Sequence, residues 1–137
     1  MNIVISDTKT GKAYSKKVEE PVFLNKKIGD KVNLSVIGLD GFEGEIRGGS
    51  DKNGFPMKPS MQGTTRRKIF ISKGVGFKPK RKGVRVRKTV RGNTVAEDIH
   101  QVNIAVTKFG SKSLEELLGK KEEKKEDEKE SNSGKKE

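Results

Sequence analysis

Short apolar runs separated by turn-forming residues recur along the first 110 positions of the sequence. Val32, Leu34 and Val36 alternate with polar residues, and this period of two is that of a strand with one buried face. Many short strands with frequent glycine turns favour an antiparallel sheet that closes into a small barrel. On these grounds we predict strands at residues 2–6, 13–18, 31–37, 42–46, 69–71, 84–90 and 101–107.

The remaining segments are predicted to be loops, one helix and a tail. Residues 47–57 and 74–83 contain too many Gly and Pro residues for regular structure. Ser113, followed three positions later by Glu116, is a capping box and predicts the start of a helix. The predicted organisation is a β-rich domain at residues 1–110, a charged C-terminal helix at 111–130 and a disordered tail at 131–137.

Composition excludes several classes of protein. Hydrophobic residues make up 29% of the chain, so we expect a small core. The absence of Cys excludes disulfides, thiolate metal sites and a cysteine nucleophile, and it fits a reducing compartment. No apolar run reaches the length of a membrane span. The first residues lack the basic start and long apolar run of a signal peptide, so we expect a soluble cytoplasmic protein without membrane contacts.

Positive charge is concentrated in one part of the chain. The formal net charge is +12, and residues 52–96, here called the basic block, carry fourteen basic and no acidic side chains. Residues 1–51 carry eight of each sign, and residues 120–137 carry seven of each. A block of one sign repels itself, and a bound polyanion removes that repulsion and releases counterions. The alternative is a solvated charged face, but such a face normally mixes both signs.

The basic residues form clusters that suit phosphate groups. On an extended strand Arg85, Arg87, Thr89 and Arg91 point the same way, with roughly 6.6–6.8 Å between successive members, close to the step between phosphates along a nucleic acid. Aromatic residues are few in the block, so we expect recognition of folded RNA by shape and backbone, not chiefly by base stacking. The predicted RNA-binding residues are Lys52, Lys58, Arg66, Arg67, Lys68, Lys78, Lys80, Arg81, Lys82, Arg85, Arg87, Lys88 and Arg91.

The sequence contains no assembled catalytic, nucleotide or metal site. Residues 74–79 lack the third Gly of a dinucleotide loop, and their final Pro would disrupt the helix that must follow. His100 is the only histidine, and a lone His does not make a metal cluster. Asp51 lies in a glycine-rich turn, where Asp more often bonds its own backbone than acts as a base, while Glu97 and Asp98 point apart on a strand. We therefore expect no enzyme activity, cofactor, metal or small-molecule substrate.

The most specific pattern lies at residues 48–57, which read Gly-Gly-Ser-Asp-Lys-Asn-Gly-Phe-Pro-Met. The pattern Gly-Gly-x-Asp followed by x-x-Gly-x-Pro-Met resembles the signature of the archaeal and eukaryotic family of small-subunit ribosomal protein six. The segments at residues 2–12, 27–30, 38–42 and 85–92 are also similar to that family. The resemblance covers residues 1–110.

The resemblance implies a mostly β structural component of the small ribosomal subunit that contacts ribosomal RNA and neighbouring ribosomal proteins. A simpler interpretation of the glycine segment is a tight turn with positive φ angles, onto which Phe55 and Met57 pack. Eukaryotic members have a long basic C-terminal extension with phosphorylated serines, whereas this sequence ends in a Lys/Glu tail and looks like the short archaeal form. The resemblance also implies an RNA-facing glycine loop made of Gly48, Gly49, Ser50, Asp51 and Gly54.

Three functions stay open at this point. The first is a structural constituent of the small ribosomal subunit that binds and stabilises folded rRNA. The second is a free RNA- or DNA-binding chaperone, or a chromatin-like protein, outside the ribosome. The third is an enzyme that acts on a phosphorylated substrate through Asp51 or His100. The resemblance favours the first.

Overall fold

The computed structural model of the chain describes residues 1–119 and is mostly β, as the alternating pattern predicts. Five strands form one sheet in the order β2-β1-β7-β4-β3, and β5 and β6 form a second, two-stranded sheet. The strands are β1 Asn2–Ser6, β2 Ala13–Lys17, β3 Lys31–Asn33, β4 Glu43–Asp51, β5 Arg66–Ile71, β6 Val86–Arg91 and β7 Ile99–Lys108.

The first hairpin forms as its sequence predicts. β1 and β2 pair antiparallel along their whole length. Asp7 closes the turn between them, because its carboxylate accepts hydrogen bonds from the backbone N–H of Lys9 at 2.8 Å and from Thr10 Oγ1 at 2.8 Å. The hydrogen bond from the Thr10 hydroxyl is the main reason that the pKa of Asp7 lies below its ordinary value.

The prediction of a closed antiparallel barrel is wrong. β1 pairs with β7 in parallel, and the described residues form an open sheet with β2 and β3 at its edges. Both edge strands are short, and each carries an exposed lysine, Lys17 on β2 and Lys31 on β3. Short, charged edges discourage further strand pairing. The sheet therefore ends at these strands without closing on itself.

The core lies on one face of the large sheet. Alternate residues of β1 and β7 are buried, which is the period of two expected for strands with one covered face. Leu34, Leu39 and Phe42, from the connection between β3 and β4, belong to the same hydrophobic cluster, and Leu114 and Leu118 join it from the C-terminal end. The C-terminal residues that the structure describes thus pack onto the sheet.

The strand predicted at residues 31–37 is only partly correct. β3 ends at Asn33, whose side-chain oxygen accepts a hydrogen bond from the backbone N–H of Ser35 at 2.9 Å and so begins a 3-10 turn, Leu34–Ile37. Asn side chains form such local bonds in competition with strand pairing. As a result Val36 is 69% exposed, although it fits the alternating pattern.

β4 continues through the first half of the glycine-rich segment at residues 47–57, so the prediction of a loop is wrong for that half. The strand runs to Asp51 and pairs with β7 across several register shifts. Glycine within a strand often marks a bulge or a close backbone approach. Gly49 is such a case, because a Cβ there would collide with the carbonyl oxygen of Gln101 and lie only 3.2 Å from Met57 Sδ.

Replacing Gly49 with Ala is expected to lower the free energy of unfolding by about 2 kcal/mol, because the added Cβ has no space against β7. Gly48→Ala is the matched control, since nothing lies within 4 Å of a Cβ at that position. Its expected effect is within about 0.5 kcal/mol. Urea unfolding of both variants measures the difference, and equal destabilisation would contradict the packing role of Gly49.

β5 and β6 pair antiparallel over their whole length and are joined by residues 72–85. We call β5, β6 and this connecting loop, residues 66–91, the basic ribbon. β5 is longer than the strand predicted at 69–71, because the three basic residues before it also pair with β6. Most of the basic block therefore belongs to one β hairpin with a long loop.

The structure describes only the first turn of the predicted C-terminal helix. The hydroxyl Oγ of Ser113 accepts a hydrogen bond from the backbone N–H of Glu116 at 3.3 Å, as its place in the capping box predicts. The residues that follow, Glu115–Gly119, form a π-helical turn, so a helix over residues 111–130 is not shown. The remainder of that helix and the tail predicted at 131–137 lie outside the described residues.

Candidate nucleic-acid interface

The two faces of the basic ribbon differ, because side chains alternate along each strand. On one face Phe70 lies opposite Arg87, with Lys68 two residues along, and all three are exposed. On the other face Ile71 and Val90 are buried. Arg67 and Lys88 share the face of Ile71 and Val90 but are exposed, so both faces of the ribbon present cations to solvent.

The loop at residues 72–85 extends this cationic surface. Its first part is a tight turn in which Gly74 and Phe77 exchange two backbone hydrogen bonds of 3.1 Å. Gly74 and Gly76 both have a positive φ, which glycine adopts with little strain. The exposed cations of the loop are Lys73, Lys78, Lys80, Arg81, Lys82 and Arg85.

Acidic groups within residues 1–119 do not neutralise most of the ribbon. In that part of the chain, Arg66 and Arg91 are the ribbon residues that form ion pairs with carboxylates. Outside the ribbon, four described cations form such pairs: Lys12, Arg47, Lys52 and Lys108. Most of the positive charge of the ribbon is thus not neutralised within these residues.

The segment after Asp51 joins the basic ribbon to the large sheet. The backbone N–H of Met57 donates to the carbonyl oxygen of Gly49 at 2.9 Å, and the N–H of Arg91 donates to that of Pro56 at 2.9 Å. One short stretch therefore bonds β4 on one side and β6 on the other. Met57 is also buried in the core. This segment determines where the ribbon leaves the sheet.

A buried carboxylate connects the same elements. Asp51 is 2% exposed, and its Oδ1 accepts hydrogen bonds from the backbone N–H groups of Asn53 at 2.9 Å and Phe55 at 3.0 Å. Its Oδ2 lies 2.8 Å from Arg66 Nε and 3.5 Å from a terminal nitrogen of Arg91. One side chain thereby holds the turn at the end of β4 and both strands of the ribbon.

Asp98 lies on the opposite side of Arg91. Its carboxylate is 3.5 Å from the second terminal nitrogen of Arg91 and 3.4 Å from Lys52 Nζ. We call Asp51, Arg66, Arg91 and Asp98 the ion cluster. It consists of two acidic and two basic side chains at the base of the ribbon, so its charges balance.

The surroundings of Asp51 keep it ionised. Burial alone would raise the pKa of its carboxyl group, but the backbone donors of Phe55 and Asn53 and the charge of Arg66 outweigh that effect, and the pKa of Asp51 is lowered. A general base that works near neutral pH needs the opposite shift. The interpretation that Asp51 bonds its own turn is therefore confirmed.

Strand alternation predicts that Arg91 lies on the same exposed surface as Arg85 and Arg87, but in the structure it does not. It is 5% exposed, and its guanidinium group lies between Asp51 and Asp98. Its two terminal nitrogens are paired with these carboxylates, which makes Arg91 a member of the ion cluster, and its contact with RNA stays a prediction. Asp51 is distant from Arg91 in the sequence, and only the folded chain brings Asp51 and Asp98 to its two sides.

The other predicted RNA-binding residues fall into two groups. Arg66 is held by Asp51, Lys52 is paired with Asp98, and Lys58 is half-buried. The second group lies exposed on the ribbon and consists of Arg67, Lys68, Lys78, Lys80, Arg81, Lys82, Arg85, Arg87 and Lys88.

The residues of the predicted RNA-facing glycine loop have several different structural roles. Gly48 and Gly49 belong to β4, and Asp51 belongs to the ion cluster. Of the glycines in that loop, Gly54 has the predicted positive φ, at 82°. Gly54 is exposed, and Gly48 and Ser50 are partly exposed, so contact with RNA at these three positions stays a prediction.

Sequence reasoning did not single out two exposed residues of the ribbon. Lys73 lies in the connecting loop outside the predicted clusters, although its place in the acid-free block was a sufficient signal. Phe70 was counted only as one of the few aromatic residues of the block. Its exposure follows from the pairing of β5 with β6, which places it on the solvent side.

The residues considered for other chemistry are not assembled into a site. Within residues 1–119, no group of His, Asp or Glu side chains is arranged to hold a metal ion. His100 is an exposed residue of β7. No helix in this described part of the chain is long and apolar enough to cross a membrane.

The fold and the interface together define a small basic β protein whose charged hairpin is held on an open sheet by buried ion pairs. The sequence profile of the family described as "Ribosomal protein S6e" matches residues 1–119. The chain therefore belongs to the ribosomal protein S6e family. Its members are structural ribosomal proteins and not enzymes, which confirms the resemblance seen at residues 48–57 and the expectation of no enzyme activity.

Individual relatives support the same assignment. The chain is 48% identical over 116 residues to the small ribosomal subunit protein eS6 of Methanocaldococcus jannaschii. The matched segment covers 85% of this chain and 88% of the relative. It is 47% identical over 125 residues to the protein of that name from Archaeoglobus fulgidus, covering 88% and 97% of the two chains. The similarity to these archaeal proteins agrees with the predicted archaeal form.

Proposed function

We propose that this protein is a structural component of the small ribosomal subunit in the cytoplasm and that its basic ribbon binds and stabilises folded ribosomal RNA. The relatives named above are small-subunit proteins. The observation that carries the RNA-binding part is the exposed ribbon, whose cations beyond the ion cluster have no carboxylate partner within residues 1–119. Neighbouring ribosomal proteins are expected on other surfaces of the sheet domain.

The ribbon suits a nucleic acid backbone in spacing and chemistry. Alternate residues on an extended strand are roughly 6.6–6.8 Å apart, close to the step between successive phosphates. A guanidinium group binds two phosphate oxygens at once, and a lysine ammonium group binds as a point charge. The proposed phosphate-binding residues are Arg67, Lys68, Lys73, Lys78, Lys80, Arg81, Lys82, Arg85, Arg87 and Lys88.

The ion cluster supports this binding without contacting RNA. It ties both strands of the ribbon to the end of β4 through Asp51, and the hydrogen bond from Arg91 to Pro56 adds a second attachment. A hairpin held in one orientation loses less conformational entropy on binding than a flexible arm does. We infer that the ribbon acts as a rigid clamp on folded RNA rather than as a mobile basic tail.

Binding of the full-length protein to small-subunit rRNA is expected to weaken steeply with salt. If about eight cations meet phosphates, log K falls against log salt with a slope near −6, between the factors for single strands and duplexes. Filter binding over a salt series measures the slope. A slope shallower than about −2 would contradict a multi-phosphate clamp.

Location in the cell separates the ribosomal role from that of a free RNA or DNA chaperone or a chromatin-like protein. We expect tagged full-length protein to co-migrate with small subunits in a sucrose gradient at the salt concentrations at which the clamp binds, because the ribbon is bound to rRNA there. Migration at the top of the gradient would support the free protein instead.

A further inference from the structure

Phe70 is an aromatic side chain left in solvent at the middle of the cationic face. It is 68% exposed, although an aromatic ring gains more from burial than most side chains do. It lies within β5, and its neighbour Ile71, which points to the other face of the strand, is buried. Phe70 is therefore exposed as a regular residue of a paired strand, not as part of an irregular loop.

The neighbours of Phe70 are suited to a nucleotide. Arg87, directly opposite on β6, places its guanidinium carbon 5.0 Å from the centre of the Phe70 ring. This cation–π contact holds the two side chains together and leaves most of the ring open. Lys68 lies two residues along the same face and is exposed. A flat apolar surface is thus bordered by cations on both strands.

The other two aromatic residues of the basic block are placed differently. Phe55 is half-buried, and Arg66 of the ion cluster lies over its ring at 5.1 Å. Phe77 is also half-buried, in the tight turn of the ribbon loop. Phe70 is therefore the aromatic residue of the block that presents a largely open ring.

We propose that Phe70, backed by Arg87, is a stacking site for one unpaired base of the bound RNA. RNA loops and bulges expose such bases, which stack on aromatic rings and on guanidinium planes. The flanking cations, Lys68 among them, then bind the phosphates on either side of that base. This inference rests on the proposed function, and it assigns one base contact to a surface that otherwise recognises only the RNA backbone.

The charge around the ring favours a nucleotide over a protein side chain as its occupant. Burying Phe70 under an apolar protein surface would also remove water from Arg87 and Lys68, and an uncompensated buried charge is unfavourable. A nucleotide covers the ring with its base and supplies phosphates to the same cations. The occupant therefore matches both properties of the site, its apolar ring and its positive rim.

Two RNA hairpins of equal length test this site with the full-length protein. One is fully paired, and the other carries a single bulged 2-aminopurine, whose fluorescence is quenched when it stacks. The protein is expected to quench the fluorescence and to bind the bulged hairpin on the order of tenfold more tightly than the paired one. Phe70→Ala removes the quenching and the preference, and Phe70→Trp retains both.

The matched control is Val36→Ala, which removes an equally exposed apolar side chain, at 69%, from the 3-10 turn instead of the ribbon. It is expected to change neither measurement. Circular dichroism tests whether each variant is folded. Both positions are exposed, so we expect both variants to fold. If Phe70→Ala retains the quenching and the preference, the stacking site is overturned, and contact with a protein neighbour becomes the explanation of the exposed ring.

The paired hairpin keeps this test separate from that of the proposed function. It presents backbone phosphates without an unpaired base, so its binding reports the phosphate clamp alone. Phe70→Ala is expected to leave its affinity and its salt dependence unchanged. If Phe70→Ala loses the preference for the bulged hairpin but binds the paired hairpin unchanged, the stacking site is supported. If the original protein binds the paired hairpin weakly and independently of salt, the phosphate clamp is contradicted.

Discussion

Reversing Arg85, Arg87 and Lys88 to Glu is expected to weaken binding of small-subunit rRNA by at least about 100-fold. All three side chains are exposed on the basic ribbon, and none forms an ion pair with an acidic group within residues 1–119. The reversal removes three phosphate-binding charges and adds three that repel the backbone. The slope of log K against log salt should therefore become shallower by about 3.

A matched triple variant tests whether the location of the reversed charges, and not only the net charge, governs affinity. Lys17, Lys26 and Lys31 are exposed lysines outside the basic block. Their reversal to Glu changes the net charge of the protein by the same amount, so it reports the effect of net charge alone. We expect it to weaken binding by less than about tenfold. Equal loss in both variants would show that net charge, not the ribbon, governs affinity.

Replacing Asp51 with Asn is expected to lower the free energy of unfolding by about 3 kcal/mol, because it leaves Arg91 charged in a buried position with only Asp98 as its partner. The control is Asp98→Asn. The Asp98 side chain is 56% exposed, so its pairs are screened by water and its loss should change stability by less than about 1 kcal/mol. Chemical denaturation of both variants measures the two values.

The pH dependence of Asp51→Asn gives a separate check. The pKa of Asp51 is lowered in the fold, so its ionised form stabilises the protein; that contribution is complete above the ordinary value of 3.8 and is lost as pH falls through the lower folded pKa. The difference in unfolding free energy between the original protein and Asp51→Asn should stay constant near neutral pH and shrink below 3.8. A difference that grows on acidification would contradict the ionic role of Asp51.

These two predictions assign different tasks to residues of the same basic block. The exposed cations of the ribbon are proposed to bind the RNA, and the buried Arg91 pairs with Asp51 at the base of the ribbon. A change at Asp51 is therefore expected to act on RNA binding through the fold, and a change at Arg87 to act on it directly. Stability measurements on each variant separate the two effects.

Strand positions on regular, one-sided segments could be predicted from the sequence. β7 follows the alternation of apolar and polar residues, β1 contains a short apolar run, and the turn at Asp7 that leads into β2 was visible in its composition. Family membership was also recognisable, because residues 48–57 form a specific pattern. In each case the information lies in neighbouring residues.

The features that could not be predicted depend on residues distant in the sequence. The parallel pairing of β1 with β7 leaves no local signal. Arg91 follows a valine on the same strand as Arg87 does, and only the fold brings Asp51 and Asp98 to it. The sequence predicted a loop at Gly49. Its tight packing against Gln101 arises from strand pairing, which the neighbouring residues do not reveal. The roles of Arg91 and Gly49 thus depend on tertiary contacts that the local sequence does not show.

A cryo-electron microscopy map of the small ribosomal subunit that contains this chain tests the central claim most directly. We expect the rRNA backbone to lie against the basic ribbon, with phosphate oxygens within hydrogen-bonding reach of residues such as Arg67, Lys82 and Arg87, and Arg91 to remain buried beside Asp51. A ribbon that faces solvent or another protein, with rRNA held instead along the β2 edge of the sheet, would contradict it.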